Sequence, residues 1–95
     1  MAVKILIRRR VKPGQEEKFN ELVRELRSRA MHLAGFISGE TLRSIEDPSI
    51  HLVISTWKSI EDWNAWLKGP DRKAVKKKFE KVLAEPETMT PFQYE

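Results

Sequence analysis

From Val3 to Val11, Val3, Ile5, Ile7 and Val11 alternate with Lys4, Arg8 and Arg10, and this period of two in β-branched residues predicts a strand over residues 3–11. Arg9 alone falls on the apolar parity. A charge there needs a partner or a ligand unless the strand lies at an edge that reaches solvent. After Lys12-Pro13-Gly14 the period changes: Phe19, Leu22, Val23, Leu26, Ala30 and Leu33 recur at steps of three and four, the stripe of an amphipathic helix. Glu16, Glu17 and Glu21 near its start and Arg24, Arg27 and Arg29 near its end complement the helix dipole, and Gly35 is the predicted stop.

Alternation returns from Phe36 to Ser44, and after the Glu46-Asp47-Pro48-Ser49 turn residues 50–58, IHLVISTWK, read as the second arm of a hairpin. Ile50, Leu52 and Ile54 share one parity and Val53 and Trp57 the other, so this strand is predicted to be buried on both faces. Ser59 is placed to cap the next helix, with Asp62 three residues on, and Ile60, Trp63 and Leu67 point inward. Gly69-Pro70 breaks that helix; a second segment restarts at Asp71 and carries Ala74, Val75, Phe79, Val82 and Leu83 as its apolar stripe. The tail ETMTPFQYE, with Pro91 inside it, belongs at a sheet edge or against another chain.

The order βαββαβ implies an α+β, ferredoxin-like antiparallel sheet with two helices on one face, and 95 residues suffice for one domain spanning 1–95. Two helices cover one face only. The apolar parity of Ile50, Leu52 and Ile54 needs a cover that the chain does not supply, so a second copy packed sheet against sheet is expected, a homodimer forming a dimeric α/β barrel.

Composition narrows the chemistry by exclusion. With 40% hydrophobic and 34% charged residues the chain reads as soluble, and without cysteine it can have no disulfide, thiolate nucleophile or iron–sulfur cluster, which fits a cytoplasmic location. The start, MAVKILIRRRVKPG, lacks the core of an export signal, and no apolar run approaches the roughly 20 residues of a membrane span, so no membrane partner is expected. The net charge of +4 and the run Arg72, Lys73, Lys76, Lys77, Lys78 and Lys81 raise nucleic acid as a partner. No aromatic-rich strand of the RNA-recognition type accompanies them, and the run reads as the solvated side of the second helix, so no nucleic acid is expected. His32 and His51 stand on different elements without metal-like spacing, so no metal site is expected.

Gly35-Phe36 after the first helix, the block LVISTWKSIEDWNAWLKGPD over residues 52–71 and the aromatic tail together resemble the antibiotic biosynthesis monooxygenase superfamily of dimeric α+β barrels, over nearly the whole chain. The resemblance implies oxidation of a small aromatic or quinol-type molecule by molecular oxygen without a cofactor, the substrate supplying the electrons in a hydrophobic pocket between helices and sheet. Haem-degrading members, as the resemblance also implies, place an asparagine on the first strand, a tryptophan on the second helix and an iron-ligating histidine one segment later. Trp66 matches that tryptophan, but the other two positions fall near Ile7 and Lys76. A protonated lysine is a poor axial ligand, so haem breakdown survives only if another residue holds the iron. The expected pocket consists of Ile7, Phe36, Trp66 and Phe79, with Trp63 mainly a core anchor on its border and Arg9 the candidate to steady a substrate anion; no other catalytic group is identifiable. The competing expectation is a non-catalytic dimeric module that binds a hydrophobic ligand.

Overall fold

The computed structural model describes residues 1–95 as β1 (Val3–Arg10), α1 (Glu16–Ala30), β2 (Phe36–Arg43), β3 (Ile50–Trp57), α2 (Ile60–Lys68), α3 (Pro70–Val82) and β4 (Thr88–Gln93). The strands form one antiparallel sheet in the order β2-β3-β1-β4, the ferredoxin-like α+β arrangement. β1 is therefore an interior strand, paired on both sides, and β4, with Pro91, is an edge. The expected break between the last two helices is present: Gly69 is extended and Pro70 opens α3, where its missing amide proton costs nothing.

Register decides which side chains meet. Val3, Ile5, Ile7 and Arg9 stand opposite Trp57, Ser55, Val53 and His51, and all eight point toward the helices. Two apolar clusters form on that side, one joining Val3, Ile5 and Ile7 to Trp57, Trp63 and Trp66, the other joining Val11 to Phe19, Val75 and Phe79. Arg9 lies on β1 between them. The opposite face carries Leu6, Leu52 and Ile54, half-buried, with Leu42 49% and Phe92 52% exposed.

Three expectations are corrected by packing. α1 ends at Ala30 and the Met31 amide closes it onto the Arg27 carbonyl, so Leu33 lies outside the helix and is exposed, and Gly35 does not stop it. Along α3 the buried positions are Arg72, Val75, Phe79 and Val82; Ala74 is off that stripe and exposed, while Arg72 has left the solvated basic run. Gly35 is needed for a different reason, close approach of the α1–β2 loop to the start of α2. Ser59 caps α2 by accepting from the Asp62 amide at 3.1 Å while its hydroxyl donates to the Asp62 carboxylate at 2.9 Å. A Cβ on Gly35 would come within 2.4 Å of the Asp62 Cγ.

Gly35→Ala therefore has to displace a capping side chain with little room to move. Urea denaturation is expected to show a loss of about 2–3 kcal/mol, from overpacking and a weakened cap together. A loss below about 0.5 kcal/mol would mean that the loop shifts freely and that the contact does not constrain it.

Candidate active site

Between α1, α2 and the sheet lies a cavity of about 60 Å³. Ile7, Val53, Ser55 and Trp57 form its sheet side, Phe36 comes from β2, Val23, Leu26 and Ala30 from α1, and Trp63 and Trp66 from α2. Trp57 is the hub of the aromatic wall, with ring centroids 5.3 Å from Phe36, 5.8 Å from Trp63 and 5.9 Å from Trp66. Its indole Nε1 donates to Ser55 Oγ at 3.2 Å, which fixes the ring. Such a volume holds a few waters, each needing about 10–15 Å³, and does not hold a fused aromatic system at rest. A second hollow of about 270 Å³, bordered by Leu33, Gly35, Asp62 and Pro70, shares Trp57 and Trp66 with the first.

The other end of the cavity is charged. Arg9 and Arg72, 2% and 4% exposed, both line it and share one carboxylate: Arg9 Nε donates to Glu87 Oε2 at 2.6 Å, and Arg72 Nη2 donates to Glu87 Oε1. Arg9 also stacks over the Phe79 ring, 4.4 Å from its centroid. One nitrogen of each arginine, Arg9 Nη2 and Arg72 Nη1, is buried without a partner. Burial pushes both guanidinium groups down to about 10, helped at Arg72 by the charge of Arg9, and both remain cationic at neutral pH. At the rim Arg27 donates to Thr41 Oγ1 at 2.7 Å.

The structure thus brings together Ile7, Arg9, Phe36, Trp63 and Trp66. Phe79 is not among the lining residues; it stands behind Arg9 in the second core cluster, because β1 turns Arg9 across the gap between clusters. Arg9 does not reach solvent, since β1 is interior. Sequence reasoning missed three contributors. Trp57 shared its parity with Val53, a usable signal; Arg72 sits three residues before Val75 on the stripe; Glu87, 78 residues from Arg9, gave no local signal at all. The two histidines stay apart from the cavity: His32 is exposed, and His51 is buried with Nε2 3.3 Å from Glu16 and its ring 4.6 Å from that of Phe19. A haem ligand set does not fit, because Ile7 offers no polar atom and Lys76 is exposed on α3.

A family model described as antibiotic biosynthesis monooxygenase matches residues 2–78. The chain belongs to this family. Antibiotic biosynthesis monooxygenases are also found among the solved structures it resembles. SnoaB of Streptomyces nogalater, described as a cofactor-independent oxygenase, superposes with a TM-score of 0.88 at 15% identity over 99% of this chain and 93% of its own. A conserved protein of Methanosarcina mazei gives 0.93 at 17% identity over 100% and 94% of the two chains, and Rv0793 of Mycobacterium tuberculosis 0.88 at 13% over 99% and 95%. At these identities the likeness is one of fold. No curated protein matches the chain. Arg9, Arg72 and the three tryptophans fall inside the span matched by the family model, while Glu87 and β4 fall beyond it.

Glu87 neutralises one of two buried cations, so its loss leaves both uncompensated. Glu87→Ala is expected to lower the unfolding free energy by about 3–5 kcal/mol in chemical denaturation, whereas Arg72→Met, which leaves Arg9 paired with Glu87, is expected to cost much less. Equal losses in the two variants would contradict the shared-carboxylate arrangement.

Proposed function

We propose that this protein is a cofactor-independent monooxygenase that oxidises a small aromatic or quinol-type molecule with molecular oxygen. The observation that carries the reading is a largely apolar cavity with an aromatic wall at one end and two buried guanidinium groups, each with a free nitrogen, at the other. Indole faces stack a planar ring, and a fixed cation stabilises the negative charge of the ionised substrate, the species that gives up electrons to oxygen. Conversion of a ring methylene to a carbonyl by one molecule of dioxygen, with one oxygen atom retained in the product and the other leaving with both hydrogens as water, balances with the substrate as the reductant. No redox group of the protein is called upon. Excluding water protects the reactive intermediates. The fold shared with SnoaB supports the reading without fixing the substrate.

Trp57 and Trp66 border both the small cavity and the larger hollow, and movement of Trp66 on α2 would join the two into a space able to take a ring system. Binding therefore goes with opening at α2, next to the Gly69-Pro70 break. The half-buried residues Leu6, Leu52 and Ile54 on the open sheet face support a homodimer packed sheet against sheet, with Lys4 and Arg8 of one copy available to Glu40 of the other. A chain without cysteine, whose helices include none long and apolar enough to cross a membrane, suits work in the cytoplasm.

A non-catalytic binding module is favoured by one observation: no histidine, carboxylate or tyrosine lines the cavity to act as a base. Oxygen uptake by the purified protein with a panel of quinols and polycyclic phenols separates the readings. Uptake that falls at least tenfold in Trp66→Phe, with the fold intact by circular dichroism, is expected of the oxygenase. No uptake across the panel would leave the binding module. Sedimentation at micromolar concentration is expected to give twice the chain mass of 11.1 kDa, and Ile54→Lys to give monomer; a wild-type monomer would remove the sheet-to-sheet assembly.

A further inference from the structure

The cavity is unusual in its charge balance. Its lining includes three arginines, Arg9, Arg27 and Arg72, and no acidic residue. Arg27 is exposed and engaged with Thr41, so water solvates it. Arg9 and Arg72 have no such relief: they are buried, and Glu87 cancels only one of their two charges. A net positive charge on buried side chains is costly unless something neutralises it. The free nitrogens Arg9 Nη2 and Arg72 Nη1 add two buried donors without acceptors. Groups packed nearby do not supply the missing charge. His51, beside Arg9 across the strand pair, has Glu16 for its own partner, and Arg29 occupies Asp71 at 2.9 Å and Glu25 at 3.2 Å.

We infer that the ligand of this cavity is an aromatic monoanion, its anionic oxygen seated between Arg9 and Arg72 in the acceptor position that Glu87 leaves empty and its ring against the tryptophans. This rests on the reading of the cavity as the substrate site and sharpens it. With no base in the lining, the substrate must arrive already ionised or be acidic enough for two guanidinium groups to hold it as the anion. Neutral hydrocarbons and simple alcohols are thereby excluded, and among phenols and quinols the site favours those acidic enough to be held as the anion, alongside acidic enols and aromatic acids. Arg72 becomes a binding residue equal in rank to Arg9, and Glu87 a positioning residue that aligns both guanidinium groups and limits the site to a single negative charge.

All three tryptophans of the chain line the cavity, so intrinsic fluorescence reports its occupancy and little else. Quenching, checked by calorimetry, would compare naphthoate with naphthamide, and a hydroxynaphthoquinone whose enol is ionised at neutral pH with its methyl ether. The expected result is binding of at least one anion about tenfold or more tighter than its neutral counterpart, with little dependence on salt because the site is buried. Binding of the enolate alone would assign the site to conjugated oxyanions, and binding of both would extend it to carboxylates. Arg72→Met keeps a neutral Arg9–Glu87 pair, so it should stay folded and bind acid and amide alike. Glu87→Gln should increase the preference for the anion and show a larger rise in melting temperature on binding it than the parent protein does. Equal affinity for anion and neutral partner, absence of binding by either anion at millimolar concentration, or an undiminished preference in folded Arg72→Met would each overturn the inference. Oxygen uptake measured on the same samples separates the two levels. An anion bound without uptake leaves the site standing and sinks the oxygenase, and uptake with a neutral quinol alone does the reverse.

Discussion

A cation placed on the inward parity of an interior strand governs much of this molecule. Arg9 follows Ile7 on the inward parity of β1, with β3 on one side and, just past the end of the β4 ladder at Arg8 and Thr88, Glu87 on the other, so buried there it cannot turn to the open face without breaking the strand's alternation. The helix-side core divides around it into two clusters instead of one. Its charge is compensated from the far end of the chain by Glu87, in the segment leading to β4. Docking of β4 and burial of the carboxylate are thus parts of one event. Phe79 completes the seat, its ring under the guanidinium plane. Arg72 then enters as a second cation on the same carboxylate, and from that point the site has one positive charge too many for a purely structural ion pair.

The two ends of the cavity depend on each other through β1 and β3. Register puts Ile7 beside Val53 and Arg9 beside His51, so the apolar floor and the charged end are successive pairs on one ladder. Trp57, at the other end of β3, organises the aromatic wall and is held by Ser55, which with His51 is one of two polar residues in that row. The ring is therefore tethered as well as packed. Trp66 borders the same two hollows as Trp57 but lacks such a tether, so on the proposed reading it is the wall member that moves. A site whose resting volume is smaller than its ligand spends part of the binding energy on opening, which favours ligands that also gain at the charged end.

Legibility in the sequence followed the range of the interaction. Periods of two and of three to four are local, and they gave the first three strands and the helices, while proline and capping chemistry, equally local, gave the Gly69-Pro70 break and the Ser59–Asp62 cap. The tail reads as a sheet edge or as a contact with another chain. The family resemblance, not the periods, put Ile7, Phe36 and Trp66 in one pocket, and helical spacing put Trp63 on its border. What failed needed knowledge of contacts between distant segments. Gly35 looked like a helix stop because glycine so often is one, whereas its lack of a Cβ serves the approach of Asp62, 27 residues later. Arg72 looked like the first of a solvated basic run because charge outweighed its position three residues before Val75. Phe79 was on the right stripe but faces the wrong cluster, a distinction that depends on where Arg9 divides the core. Glu87 opens the tail expected at a sheet edge or against another chain, and only the fold places it under two arginines.

The same arrangement limits the chemistry that the chain can perform. General acid–base catalysis needs a group that changes protonation near the working pH, and the cavity offers guanidinium, indole and one serine hydroxyl already accepting from Trp57. On the proposed reading its contribution is electrostatic and positional: charges fixed in advance in a medium of low polarity, with little reorganisation left to occur when a substrate ionises or transfers an electron. Preorganisation of that kind is usually bought with stability, since buried like charges repel in the empty protein. Glu87 reduces the repulsion without abolishing it. Had a second carboxylate been present, the cluster would be neutral and sturdier, and the cavity would keep no electrostatic preference for an anion. The incomplete compensation of Arg9 and Arg72 is what makes the site able to discriminate.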